Sequence, residues 1–319
     1  MKFKFLYYAL ALVFFAVLPL LGLSSYSLHI LIMIGIFLIL SQSLNLMMGY
    51  VGLLSLGTSA FFGVGAYVSA LLALNFKTPF LASFLAAGLS SALLAACVGI
   101  PFLRLSRHSF VVGTLAFLLI CDLVSRNWTA VTRGPMGLPG IPSPRFNIPG
   151  LPPITITSKV DHYYFIFILV CLVLLLFVKL INSRLGRAFR AIRDDEVLAK
   201  SMGVNTFKYK WLAFIISSFI AAIAGSYFAH YIMFVDPLIF DLYYLEYILI
   251  TVIVGGAGTV WGVVAGAFIF TTLPEFLRLA GGLRLVIYGF ILLLSIHLIP
   301  EGIGGIINRG LKKRRLVEA

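Results

Sequence analysis

The chain has 319 residues, 61% hydrophobic and 11% charged, with a mean hydropathy of +1.08. Soluble domains carry about a quarter charged residues, so this composition excludes a soluble two-domain protein and points to an all-α, polytopic integral membrane protein. The formal net charge is +13, but the basic residues gather at 183–210 and 309–315 beside apolar runs, where they report topology rather than a nucleic-acid partner.

Residues 5–24 follow Lys2 and Lys4 as a signal peptide would, yet lack an Ala-x-Ala cleavage pattern, and are read as a retained first span. A second span covers 27–48. Ser41, Gln42, Ser43 and Asn45 near its end must face other helices or a polar cavity, since lipid offers them no partner. The third span, 50–74, is the richest in small residues. Gly57, Thr58, Ser59, Gly63 and Gly65 fit either close helix packing or an unwound segment lining a route. Lys77 and Pro79 mark a turn, 80–100 is the fourth span, and Arg104 and Arg107 place the next loop in the cytoplasm. In the fifth span, 109–127, Asp122 stands four residues before Arg126, and Trp128 serves as an interface anchor.

The Gly/Pro-rich stretch 129–160 breaks helix rules throughout and reads as an ordered lid on the outer face, a docking surface for something outside. After the sixth span, 162–180, residues 183–210 carry seven basic and three acidic residues, which makes the segment cytoplasmic. Asp194, Asp195 and Glu196 open a short helix there. Glu196 lies four residues before Lys200, and Gly203 occupies the left-handed closing position. At roughly 12 Å this helix is too short to span a bilayer. Arg187, Arg190 and Arg193 offer bidentate-capable contacts to a protein partner.

The seventh span is 211–233, and Asp236, Pro237 and Asp241 mark an outer turn. The apolar run 242–274 would make a helix of about 50 Å if unbroken, but Gly255, Gly256, Gly258 and Thr259 interrupt it. Parity requires two crossings here, 242–254 and 260–274, so that after a last span at 283–299 the basic residues Arg309, Lys312, Lys313, Arg314 and Arg315 return to the cytoplasm. The expectation is ten membrane segments, some short or broken, in a single permease domain over 1–319 with both termini cytoplasmic. Glu275, Arg278 and Arg284 then fall outside, facing a vestibule. Glu246 is either an interfacial carboxylate or a contact for a substrate amine.

No phosphate-binding Gly-x-x-x-x-Gly-Lys-Ser/Thr loop, Gly-x-Ser-x-Gly elbow or His-Glu-x-x-His pair occurs, so no catalytic residue and no nucleotide site are assigned. Cys97, Cys121 and Cys171 read as small buried hydrophobes, and the five histidines are scattered, so no metal site is expected. Intramembrane carboxylates are few, which weakens a proton-coupled carrier, and no channel filter is present. A mostly apolar body with one firm cytoplasmic segment makes sense if energy arrives from separate proteins through that segment; a solvated charged loop without a partner is the alternative. A carrier acting alone and a structural scaffold are the rival classes.

Five phrases then resemble one family. RLGRAFRAIRDDEVLAKSMGVNTFKYKWLAF at 184–214 looks like the cytoplasmic coupling segment of branched-chain amino acid ABC transporter permeases, with Arg190, Arg193, Asp194, Glu196, Gly203, Lys208 and Lys210 on its pattern. GYVGLLSLGTSAFFGVGAY at 49–67, TRGPMGLPGIPSP at 132–144, GGAGTVWGVVAGA at 255–267 and LIPEGIGGIINR at 298–309 resemble that family's other conserved-order phrases. The resemblance spans 30–309 and implies an ABC importer permease fold in the cell inner membrane. It implies a sister permease (a heterodimer), two cytoplasmic ATP-binding subunits that use the ATP, and an extracytoplasmic substrate-binding protein. The implied substrates are leucine, isoleucine and valine; related permeases serve urea, short amides or other amino acids.

Overall fold

A computed structural model describes residues 24–146 and 154–276, together with Phe15, 18–22, 289–290, 293 and 302–305. The expected spans 5–24 and 283–299, the basic residues from Arg309 to Arg315, Arg278, Arg284 and residues 147–153 of the outer loop lie wholly or largely outside the described residues.

The described chain is built from α1 (Ser25–Asn45), α2 (Thr58–Asn75), α3 (Phe80–Phe102), α4 (Arg107–Asn127), α5 (Lys159–Asn182), α6 (Arg184–Asp194), α7 (Glu196–Ser201), α8 (Thr206–Ile232), α9 (Leu242–Gly255) and α10 (Val260–Phe276). Helix starts follow local chemistry. The Ser24 hydroxyl accepts from Ser27 N at 3.2 Å and that of Ser106 from Ser109 N at 3.2 Å. Ser158 and Asp161 form a reciprocal capping box at the start of α5. Among the described residues, seven helices are long and apolar enough to cross a membrane: Ser25–Val51, Thr58–Asn75, Phe80–Phe102, Arg107–Asn127, Lys159–Asn182, Thr206–Ile232 and Pro237–Gly255. Val260–Leu273 is apolar but shorter.

α1, α2 and α8 form the centre, and α3, α4 and α5 surround it with apolar outer faces. Leu81, Leu85, Leu89 and Leu93 of α3, Leu119 and Leu123 of α4, and Ile168, Leu172 and Leu175 of α5 are exposed. Their spacing of three or four residues makes one stripe per helix, the pattern of a face turned to lipid. The α2–α8 seam is closed by small residues. A Cβ on Gly65 would stand 2.3 Å from the Ala222 carbonyl oxygen, and one on Gly225 1.9 Å from that of Phe62. Trp211 Nε1 donates to Ala96 O at 2.9 Å and joins α8 to α3.

The sequence expectation differs from the fold in several places. The second span does not stop at 48: α1 continues as one wide turn over Leu46–Val51, Gly52 takes a φ of 79°, and α2 begins only at Thr58. Gly52 to Gly57 are non-helical, so the expected third span 50–74 is shorter at its start. Cys97 is exposed and Cys121 and Cys171 are half-buried, because all three sit on the peripheral helices rather than in the core. The Asp122–Arg126 pair forms as expected, at 2.8 Å.

The described residues of the Gly/Pro-rich stretch 129–160 are tied down by two short antiparallel pairs. β1 (Leu138–Pro139) pairs with β4 (Phe234–Val235), and β2 (Arg145–Phe146) with β3 (Ile154–Thr155). Gly137, with a φ of 68°, lets the first pair close, since a Cβ there would meet Val235 O at 2.6 Å. His230 Nδ1 lies 2.7 Å from Pro142 O and its Nε2 2.9 Å from the Ser69 hydroxyl. Because a carbonyl can only accept, Nδ1 carries the proton and Nε2 of the neutral ring accepts from Ser69. His29 pairs with Tyr231 at 2.6 Å and His162 with Tyr227 at 3.1 Å. Three of the histidines scattered in sequence, His29, His162 and His230, thus gather at the carboxyl end of α8.

Candidate functional site

At the opposite end of α8, three irregular segments meet. The first is the turn after α1, the second the break between α9 and α10, and the third the short helices α6 and α7. The break at 256–259 needs glycine, because Gly256 and Gly258 hold φ values of 102° and 84°. Asn45 and Gln42 of α1 hold it. Asn45 Oδ1 accepts from Gly258 N at 2.8 Å, and Asn45 Nδ2 donates to Thr259 O at 3.2 Å and to Gln42 Oε1 at 3.1 Å. Gln42 Nε2 donates to Val260 O at 2.9 Å, and Thr259 Oγ1 to Gly256 O at 2.7 Å. Ser43 pairs with Ser217 of α8 at 3.2 Å. Broken helices survive at membrane depth where other groups re-satisfy the freed backbone, and Asn45 does this for the Gly258 N–H and the Thr259 C=O.

We predict that Asn45→Leu destabilises the fold by about 2–6 kcal/mol, since it strands Gly258 N–H and Thr259 C=O at about 1–3 kcal/mol each. A lowered unfolding midpoint of the purified permease checks this; an unchanged midpoint contradicts it.

Gly49 lies directly against this break. A Cβ on Gly49 would stand 2.2 Å from Gly258 N. The Gly49 carbonyl accepts from the Arg193 guanidinium, which reaches over from the end of α6. Arg193 also fills the space beside Gly52 and Gly258: a Cβ on Gly52 would meet its Cγ at 3.2 Å, and one on Gly258 its Nη1 at 2.2 Å. One arginine therefore touches both breaks.

α6 is seated by Phe189 and Ile192, both fully buried. Arg190 turns back, donating through Nη2 to Ile181 O at 3.1 Å and through Nε to Gly186 O at 3.3 Å, and so closes the carboxyl end of α5. Arg107 Nη2 donates to Ile192 O at 3.4 Å. The expected short helix is thus the second of two. Asp195 caps it, its Oδ1 accepting from Val197 N at 2.8 Å and Leu198 N at 3.0 Å, and Gly203 has a φ of 84°. Glu196 pairs with Lys210 of α8, not with Lys200, because the end of α8 packs beside α7 and brings the ammonium within reach. Arg187, Asp194, Asp195 and Lys200 are exposed.

The outward surface of this hairpin holds residues that the charge pattern hid. Val197 is 80% exposed, Leu198 60% and Met202 78%. Together they make an exposed apolar patch on an otherwise charged knob. The signal was present at i, i+1 and i+5 of the short helix, but it was masked by the surrounding charges.

The small residues of the third span divide into two groups. Gly57 and Thr58 adjoin the non-helical segment: a Cβ on Gly57 would meet Thr114 O at 3.1 Å, and Thr58 Oγ1 donates to Ser55 O at 3.1 Å. Ser59 is fully buried. Gly63 and Gly65 are packing positions. The Phe240 ring occupies the place of a Gly63 Cβ, 2.2 Å from it, and stacks on Tyr67 at a centroid distance of 5.8 Å. Gly255 and Gly262 cross so closely that a Cβ on Gly255 would lie 2.7 Å from Gly262 O. Among the described residues, no three His, Cys, Asp or Glu side chains are placed to hold a metal.

Membrane-length helices around a core of small residues, with a break joined to a charged helical hairpin, define a polytopic membrane permease. Residues 26–296 match the family described as branched-chain amino acid transport system / permease component, and the chain belongs to that family. It is a transport permease subunit, not an enzyme. It is 30% identical over 286 residues to the high-affinity branched-chain amino acid transport system permease protein LivM of Escherichia coli K12, covering 84% of this chain and 67% of that protein. The Salmonella typhimurium LivM is 30% identical over 295 residues, 87% of this chain and 69% of the relative. The LivH permease of Salmonella typhimurium is 25% identical over 235 residues, 69% of this chain and 75% of the relative. No solved structure matches the chain.

Proposed function

We propose that this chain is the membrane-spanning subunit of an ATP-driven importer and forms part of the translocation path for leucine, isoleucine and valine. The observation that carries the proposal is the Arg193 link between the α6–α7 hairpin and both helix breaks. Two ATP-binding subunits grip the hairpin from the cytoplasm, through Val197, Leu198 and Met202 with Arg187, Asp194 and Lys200 around them. Closing on ATP, they move a hairpin that Phe189 and Ile192 make rigid against the bundle. Arg193 passes the displacement to Gly49 and Gly258, where two non-helical segments can take up alternative arrangements. Family membership and the relatives' names support the substrate class.

The same reading makes residues 1–319 one permease domain of ten segments in the inner membrane, both termini cytoplasmic. The 183–210 segment couples to the ATPases, the 129–160 loop faces an extracytoplasmic substrate-binding protein, and a sister permease completes a heterodimer. The chain itself holds no cofactor; ATP belongs to its partners.

Uptake by the assembled complex in vesicles, with leucine, isoleucine, valine, other amino acids, urea and short amides in competition, tests the substrate. Displacement by urea or an amide but not by leucine would reassign it, and ATP-independent uptake by the chain alone would sink the importer reading. Leu198→Asp is expected to lower co-purifying ATPase at least tenfold, because a charge placed in a desolvated contact costs more than about 1.4 kcal/mol. Undiminished co-purification would remove the patch from the interface.

A further inference from the structure

The first turn of α2 is buried and has no cap. Its N-cap residue, Gly57, has no side chain with which to accept a hydrogen bond, and no other side chain caps it. Thr58, Ser59 and Ala60 are at most 2% exposed. A helix start leaves its first N–H groups without intrahelical acceptors, and a start withdrawn from water needs an acceptor from elsewhere. Nearby hydroxyls do not relieve this need. Thr58 Oγ1 donates away, to Ser55 O, and Thr114 Oγ1 accepts from Leu56 N at 3.1 Å while donating to Val111 O at 3.0 Å. The hydroxyls of Ser55 and Ser59, 1% and 0% exposed, have no hydrogen-bond partner at all.

A Ser59 side chain in the first helical turn leans toward the amino end, over the non-helical segment that carries Ser55. The free hydroxyls of Ser55 and Ser59 and the uncapped N–H groups therefore lie together in the short stretch Ser55–Ala60 at the start of α2. Each can donate. The α2 macrodipole adds positive potential at this end, and Arg193 passes its aliphatic stem along Gly52 at the far end of the same segment, with its guanidinium on the Gly49 carbonyl. A buried, donor-rich helix start with positive potential is matched by an anion, as at other helix starts that hold carboxylate or phosphate.

We infer that the start of α2 is the subsite for the carboxylate of the transported amino acid, with the Ser55 and Ser59 hydroxyls and the N–H groups of Ser59 and Ala60 as donors. This rests on the importer reading and adds to it the part of the path that binds the substrate. In the present arrangement α4 covers the subsite. A Cβ on Gly57 would meet Thr114 O at 3.1 Å and the Phe117 ring at 3.5 Å, so the substrate enters when α4 withdraws.

The test is equilibrium binding of radiolabelled L-leucine to the purified complex with its partner subunits, without the binding protein. Competitors are isocaproate, which keeps the carboxylate and lacks the amine, and leucinamide, which keeps the amine and lacks the carboxylate. The subsite predicts displacement by isocaproate and at least tenfold weaker displacement by leucinamide. Ser59→Ala is expected to weaken leucine binding about tenfold, the loss of one hydrogen bond to a charged group, and Ser59→Thr to stay within about twofold of wild type. Equal competition by leucinamide, or wild-type binding by both Ser55→Ala and Ser59→Ala, overturns the inference. Should Ser59→Ala fail to assemble, the order of competitors on the wild-type complex decides. A wild-type complex that imports no amino acid would refute the importer reading, whereas isocaproate binding lost in Ser59→Ala would still establish the anion subsite.

Discussion

Arg193→Ala is expected to leave the permease inserted and assembled while lowering leucine import by about tenfold to a hundredfold, with ATP hydrolysis continuing. Arg193 is the described side chain that bridges the hairpin to the Gly49 carbonyl and fills the space beside Gly52 and Gly258. Losing a charge-assisted hydrogen bond of about 1.5–3 kcal/mol lets the hairpin move without carrying the breaks along, and that energy corresponds to the stated fold-change. Lysine should restore the charge but not the two-sided contact, because an ammonium is a point donor where the guanidinium is a planar fork. The measurement is the ratio of imported leucine to hydrolysed ATP in reconstituted vesicles. An unchanged ratio in Arg193→Ala, whatever the absolute rates, would exclude Arg193 from coupling.

Gly225→Val is expected to have the largest effect on the fold itself, a loss of about 3 kcal/mol or more and little intact protein after extraction. The Cβ would fall 1.9 Å from the Phe62 carbonyl oxygen, a backbone atom that no rotamer change can move aside. Overpacking against side chains costs about 1–3 kcal/mol, and forcing two helix backbones apart exceeds that range. Gly113→Ala in α4 is the matched control. Its Cβ would find neighbours at 3.6 Å, ordinary contact distance, so this change should be neutral or stabilise by about 0.5–1 kcal/mol. Thermal unfolding of the three proteins in detergent checks both. A Gly225→Val midpoint equal to wild type would contradict a backbone-tight α2–α8 seam.

The hairpin shows what local sequence can and cannot report. Asp195 and Gly203 are legible as a start and a stop because capping and left-handed closure are properties of a few adjacent residues. The partner of Glu196 is not legible in that way. The i,i+4 rule favours Lys200, but the ion pair goes to Lys210, fourteen residues on, because α8 returns beside α7. Arg190 and Arg193 look equivalent in a run of spaced arginines, yet one closes the carboxyl end of α5 and the other reaches the Gly49 carbonyl. Likewise the small residues of 57–65 supported two readings from sequence. The structure separates them by position: 52–57 is unwound, while Gly63 and Gly65 are packed against Phe240 and Ala222.

The sequence by itself determined the class of protein, most of the helix boundaries and the break at 255–259, since apolar length, charge clustering and glycine runs are read along the chain without knowing what lies across it. Only the tertiary structure decided that this break is held by Asn45, 213 residues before Gly258, and joined to the hairpin by Arg193, 144 residues after Gly49. Such contacts are set by which helices pack together, and hydrophobic period and loop charge contain no record of that pairing. The same holds for the start of α2, whose missing cap becomes significant only once the bundle has closed around it and taken water away.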